Sequence, residues 1–248
     1  MTLSYRIFGN GPPLVMIHGM GVTYSIWENL VPLLCPHYKL IMVELPGHGK
    51  SAVPSPGKTY YSVSAHEIEA LRCGMGIERW SLLSYSLGAW VGQAYLELFP
   101  EHVERAIFLC PAVLVRAWSA GMQMLNRADR RAPAIGSWLL SGWRLLHLVR
   151  LLGFNGRSHP YARDWTREIQ GQPVAVIKHM LQDLPEHGAR EIALTARPTL
   201  FVWGDCDSIT ARPRQLRPID RLVQGDHSAP LLACEQVAKE VLAFLSNA

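Results

Sequence analysis

The chain has 248 residues, 49% of them hydrophobic and 18% charged, which is enough to bury one sizeable core and too balanced for a disordered or fibrous protein. A formal charge of +4, with no basic motif interleaved with aromatics, leaves no expectation of a nucleic-acid partner. The five cysteines (Cys35, Cys73, Cys110, Cys206, Cys234) are an odd number without C-x-x-C spacing, so neither a zinc site nor a disulfide framework is expected. They read as buried apolar fillers. Met1 to Arg6 enters a strand-like alternation directly, with no basic region followed by an apolar run, so a cytoplasmic protein is expected.

Leu3 to Phe8 reads as a strand, and Gly9-Asn10-Gly11-Pro12-Pro13 as a turn. Leu14-Val15-Met16-Ile17 is a continuous apolar run, the pattern of a strand buried on both faces of a parallel sheet. It ends in His18-Gly19-Met20-Gly21, a loop poor in side chains that lets a backbone amide approach another group closely. Ile26, Trp27, Leu30, Val31 and Leu34 give Tyr24 to Leu34 a helical spacing, closed by Pro36 and His37. Lys39 to Val43 is the next buried strand, followed by Glu44-Leu45-Pro46-Gly47-His48-Gly49-Lys50-Ser51. Tyr60 to Met75 is helix-like, Trp80 to Leu83 strand-like, and Ala89 to Phe99 helix-like again.

Between the last two lies Ser84-Tyr85-Ser86-Leu87-Gly88. A strand that reverses sharply into a helix needs small residues on both sides of the turn, and Ser84 and Gly88 supply them. Ser86 is then the strained apex, facing the positive end of the helix. Val103 to Cys110 is one more strand. Beyond it the character changes. Residues 112–197 hold twelve Lys or Arg against six Asp or Glu, a net +6, leaving −2 for the rest. Within them Ala134 to Gly153 is strongly apolar, with Trp138 and Trp143, but Arg144, His147 and Arg150 interrupt it and make a membrane span a poor reading. An amphipathic lid helix over an apolar pocket is expected, with contact to a membrane surface as the lesser reading. Asp164 to Gln170 and Val174 to Leu184 add helical pieces. Pro198 to Trp203 resumes the strand pattern and runs into Gly204-Asp205-Cys206-Asp207. A short basic link, Arg212 to Arg217, leads to a last strand at Ile219 to Val223, then Gly225-Asp226-His227-Ser228-Ala229-Pro230 and a helix over Leu231 to Leu245.

These segments, taken in order, resemble the α/β-hydrolase family: a His-Gly loop, a P-G-H-G turn, a small-x-Ser-x-Gly elbow, a G-x-x-D turn and a G-x-H loop, each following an apolar strand. The resemblance implies an α/β fold, a mostly parallel sheet of about seven strands flanked by helices. Its core would be residues 1–111 and 198–248, with residues 112–197 as a helical cap. It implies Ser86 as nucleophile, His227 as base and Asp207 as acid, Asp205 being the alternative. Backbone N–H groups of Met20 and Leu87 would form the oxyanion hole, and no metal or redox cofactor would be needed. His18 and His48 are expected to be structural. Three departures stand out: Ser84 for the usual first glycine, Glu44 for the usual aspartate, and the short 212–217 link.

The expected reaction is hydrolysis of a carboxylic ester or thioester with an apolar acyl chain, through an acyl-serine. Acyl transfer or C–C hydrolysis by the same residues, and ligand binding without catalysis, remain alternatives. Trp138 and Trp143 are expected to line the substrate pocket. The basic balance of the cap is read either as a solvated helical surface or as attraction for an anionic or carrier-bound substrate.

Overall fold

A computed structural model of the chain describes residues 3–54, 59–113, 124, 127, 131–132, 162–182, 196–210 and 212–246. Seven strands form one sheet: β1 (Tyr5–Phe8), β2 (Pro13–Ile17), β3 (Lys39–Val43), β4 (Trp80–Tyr85), β5 (Val103–Leu109), β6 (Thr199–Gly204) and β7 (Arg221–Val223). Their spatial order is β1-β3-β2-β4-β5-β6-β7, with β1 antiparallel to β3 and every other pairing parallel. The continuously apolar runs became the inner strands: every residue of β4 and of β6 is buried, as a sheet covered on both faces requires. The alternating N-terminal segment became the edge, where all four residues of β1 are exposed.

Side chains alternate across the sheet and split the core in two. Val15 and Ile17 face the layer that holds α2 (Tyr60–Gly74) and α3 (Gly88–Leu98). Leu14 and Met16 face Trp27, α1 (Val31–Leu34) and the two C-terminal helices, α6 (Ala229–Leu232) and α7 (Cys234–Ser246). The register brings the carboxyl ends of the strands level: Ile17 lies beside Ser84, Tyr85 beside Leu109, Leu109 beside Val202 and Gly204 beside Val223. The loops that follow these residues therefore meet along one edge, where open α/β sheets bind ligands.

Three expectations need correction. The helix over Tyr24 to Leu34 is two pieces, a 3-10 turn at Tyr24–Trp27 and the short α1. Pro32 has no N–H to continue a helix from the preceding turn, so a new helix starts with proline in its first turn. The C-terminal helix is likewise divided, because Ala233 leaves the helical region between α6 and α7. Of the cysteines only Cys110 is buried. Cys73 and Cys206 are exposed, Cys73 on the outer face of α2 beside Glu69 and Arg72, and Cys206 in the turn after β6.

The short link before β7 contains no helix among its described residues; a clamp holds it instead. Arg217 donates to Asp220 and to the Thr199 carbonyl, and its guanidinium lies 4.8 Å from the centre of the Phe201 ring.

Of residues 112–197, α4 (Ala162–Gly171) and α5 (Val174–Gln182) are described, both close to the helical pieces expected there. They sit on the loops that follow β2 and β3. The Glu168 carboxylate accepts from Thr23 N–H and Oγ1 at 3.0 and 2.9 Å, Ile169 packs on Gly21, Val176 packs on Gly47, and Tyr61 donates to the Met180 carbonyl. The apolar run Ala134 to Gly153, with Trp138 and Trp143, lies outside the described residues. Among the described residues no helix is long and apolar enough to cross a membrane.

Candidate active site

β4 ends at Tyr85 and α3 starts at Gly88, leaving two residues for the reversal. Ser86 makes the turn at φ +52, a left-handed conformation that costs an L-residue about 1–2 kcal/mol. Its backbone is held on both sides: Ser86 N–H donates to Leu109 O at 3.1 Å, and Ser86 O accepts from Ala89 and Ala112 N–H. The serine at position 84 is accommodated by a gap in the next helix. A Cβ on Gly92 would lie 2.3 Å from Ser84 Oγ, so the hydroxymethyl group of Ser84 occupies room that Gly92 leaves free.

The three separate loops of the expected catalytic set converge on this turn. His227 Nε2 lies 2.8 Å from Ser86 Oγ, and its Nδ1 lies 2.8 Å from Asp207 Oδ2. Asp207 also accepts from Ile209 and Thr210 N–H on Oδ1 and from Thr210 Oγ1 on Oδ2. Burial pushes the Asp207 carboxyl up, but the neighbouring imidazole and these donors outweigh it and bring the group down to about 2. Asp207 is therefore ionised throughout the range in which a histidine titrates. Asp205 faces away, exposed, and its Oδ1 accepts from Gly225 N–H, tying the β6 turn to the histidine loop. Between the two aspartates, Asp207 is the one that meets His227.

Leu87 follows the serine directly, and Gly19, the residue before Met20, lies against it. Gly19 presses its backbone against Ser86, since a Cβ there would stand 2.8 Å from Ser86 Cβ and 3.3 Å from Oγ. His18 aims the loop. Its Nδ1 is 2.7 Å from Gly19 O, and its Nε2 accepts from Leu45 N–H at 3.0 Å, which fixes the neutral tautomer with the proton on Nδ1. A trans peptide carries its C=O and N–H on opposite edges, so anchoring Gly19 O sets the direction of Met20 N–H. Leu87 N–H stands at the start of α3.

His18 and His48 are both buried, with ring centres 4.8 Å apart. Burial lowers His18 from its ordinary 6.5 to about 4 against the Gly19 hydrogen bond, and burial together with the neighbouring His18 holds His48 well below the ordinary value too. Both are neutral in the folded chain at pH 5, whereas the unfolded chain protonates them below 6.5. Stability is thus complete above pH 6.5 and lost as pH falls toward about 4. Thermal melts from pH 7.5 to 5 should show a decline of about 2 kcal/mol from His18 alone, with the His48 contribution added. A His18→Asn variant with an unchanged decline would refute this origin.

Three residues of the site were not anticipated from sequence. Tyr85 donates to the His227 carbonyl at 2.7 Å, with its ring centre 5.2 Å from the imidazole. Thr210 supports Asp207, and Cys110 lies beside both Asp207 and His227. Only Thr210 left a local signal, an Asp followed at the third position by a hydroxyl residue.

A parallel sheet with an antiparallel edge strand, and a left-handed serine between its central strand and a helix, define an α/β-hydrolase fold. The chain belongs to that family, for the model of the alpha/beta hydrolase fold matches residues 12–241. Among relatives, a pimeloyl-(acyl-carrier protein) methyl ester esterase from Aeromonas hydrophila is 28% identical over 222 residues, 86% of this chain and 84% of that one. A hydrolase from Pseudomonas aeruginosa superposes with a TM-score of 0.76 at 24% identity, over 98% of this chain and 94% of that one. An epoxide hydrolase from Bacillus megaterium gives the same TM-score at 18% identity, over 99% and 97% of the two chains. These two likenesses are of fold.

Proposed function

We propose that this protein is a serine hydrolase that cleaves a carboxylic ester through an acyl-serine, with Ser86 as nucleophile, His227 as base and Asp207 as the acid that orients it. The observation that carries the reading is the continuous chain of 2.8 Å contacts from Ser86 Oγ through the imidazole to Asp207, anchored on a strained elbow. A serine hydroxyl is a weak nucleophile at neutral pH, so His227 Nε2 takes its proton as attack proceeds, and Asp207 stabilises the imidazolium that forms. Met20 and Leu87 N–H stabilise the tetrahedral oxyanion, each by about 3 kcal/mol. His227 returns the proton to the leaving alkoxide, and water then repeats the sequence to release the acid. Serine at the apex, where epoxide opening would call for a carboxylate, separates the reaction from that of the epoxide hydrolase neighbour.

Residues 112–197 act in this reading as a cap. Support comes from α4 and α5, which pack on the loops beside Gly21 and Gly47, on the edge of the sheet that carries Ser86. The apolar run with Trp138 and Trp143 fits an aliphatic acyl chain. The +6 balance of the segment fits an anionic carrier, and the Aeromonas relative is named for a carrier-bound methyl ester.

The test pairs a fluorophosphonate probe with a series of p-nitrophenyl esters of rising chain length. Covalent labelling of Ser86 and turnover that peaks at a medium or long chain are expected. A folded protein that neither labels nor turns over any ester would sink the proposal.

A further inference from the structure

Ser86 is one of two described residues other than glycine at positive φ; the second is Cys110, at φ +42. Cys110 follows β5 directly, its N–H donating to Val202 O at 2.8 Å, so the thiol is set between the elbow of β4 and the acid turn of β6. It is fully buried, and burial together with the Asp207 charge holds it protonated. The acid and base chemistry above does not use it. Yet Cys110 Sγ, a carboxylate oxygen of Asp207 and a ring nitrogen of His227 all lie within 4.8 Å of one another. Of the two ring nitrogens, Nδ1 is the one that touches Asp207, at 2.8 Å.

Thiolate, imidazole and carboxylate are together a zinc donor set. Bonds of about 2.0–2.3 Å in a tetrahedron place the ligand atoms about 3.3–3.7 Å apart, so binding requires the 2.8 Å contact between Nδ1 and Asp207 to open by about 0.5 Å. We propose that Cys110, Asp207 and His227 form a binding site for a thiophilic divalent cation such as Zn2+, and that its occupancy switches the catalytic base off. The second half rests on the reading of His227 as the base.

At rest the site carries one negative charge, with Asp207 ionised, Cys110 protonated and His227 neutral with its proton on Nδ1. The cation takes the Nδ1 lone pair, the displaced ring proton moves to Nε2, and the Cys110 thiol loses its proton to solvent. A dication with one thiolate and one carboxylate is neutral, so no uncompensated charge stays buried. The Nε2–H now faces Ser86 Oγ and cannot accept its proton. Spacing in the sequence could not show this site, because the three ligands come from the ends of three different strands.

Cobalt provides a test that does not depend on catalysis. CoCl2 added to the wild type should produce a thiolate-to-cobalt charge-transfer band that ZnCl2 abolishes, and Cys110→Ser and Cys110→Ala should lack the band while melting cooperatively. In ester hydrolysis, Zn2+ should inhibit the wild type and EDTA should restore it. Cys110→Ser, measured against its own metal-free rate, should need about 10–100-fold more Zn2+ for half inhibition. No band, a band that persists in Cys110→Ser, or equal zinc sensitivity of the two proteins would overturn the proposal. Should the wild type hydrolyse no ester, the cobalt spectrum still decides the metal site, and only the hydrolase reading falls.

Discussion

Ser86→Ala is expected to reduce kcat for a p-nitrophenyl ester by about 10^6-fold and to abolish fluorophosphonate labelling. The loss is so large because no other group can take over the bond to the acyl carbon. Within the described site Tyr85 donates to the His227 carbonyl and Thr210 to Asp207. What remains is the proposed oxyanion hole and substrate binding, worth about 10^3–10^4 over water. Stability should respond differently. Alanine at φ +52 carries the same backbone strain as serine, so Ser86→Ala should melt close to the wild type. Ser86→Gly, equally inactive, relieves that strain and should be more stable by about 1 kcal/mol, or about 2–4 °C in Tm. Activity lost with stability gained at one position is the signature of strain held for function. A Ser86→Ala protein with more than a tenth of wild-type activity would place the nucleophile elsewhere.

The sheet was legible because its inner strands are buried on both faces and leave continuous apolar runs, as in Leu14 to Ile17 and Pro198 to Trp203. The site was legible for a related reason. Each of its loops follows such a run and needs residues with little side chain, so Gly19, Gly88 and Gly225 mark the places where backbones approach. Helix continuity was less visible, since Pro32 sits inside a helical apolar spacing and breaks it without disturbing the pattern. Contacts across the sheet left no trace at all. Tyr85 and His227 stand 142 residues apart, and nothing in either segment announces the hydrogen bond between them. Cys110 reads as the last apolar residue of a strand, and its position beside Asp207 follows only from the register of β5 against β6. The room for Ser84 likewise comes from Gly92, within a helix where glycine otherwise looks like a defect.

Asp207→Asn should lower kcat by about 10^4-fold while leaving KM nearly unchanged, and the hydrogen bonds of Asp207 dictate why. Oδ1 accepts from two backbone amides, Ile209 and Thr210 N–H, which tolerate only an oxygen at that position. The new amide nitrogen must therefore replace Oδ2, next to His227 Nδ1, where it donates instead of accepting. His227 is driven into the tautomer with its proton on Nε2, facing Ser86 Oγ at 2.8 Å. The Thr210 hydroxyl can rotate to accept from the same nitrogen, so the loop keeps its shape and the fault is confined to one proton. Asp205→Asn provides the contrast. Its Oδ1 accepts from Gly225 N–H, which the asparagine oxygen can still do, so kcat should change by less than about 3-fold. The comparison uses kcat and KM for one p-nitrophenyl ester across pH 5 to 9, with thermal melts to show that both variants fold. If Asp205→Asn proves the crippled variant and Asp207→Asn the active one, the acid has been misassigned and His227 must turn toward the histidine loop's own tether to work. The geometry argues for the opposite result, because only Asp207 both touches the imidazole and stays ionised down to about pH 2.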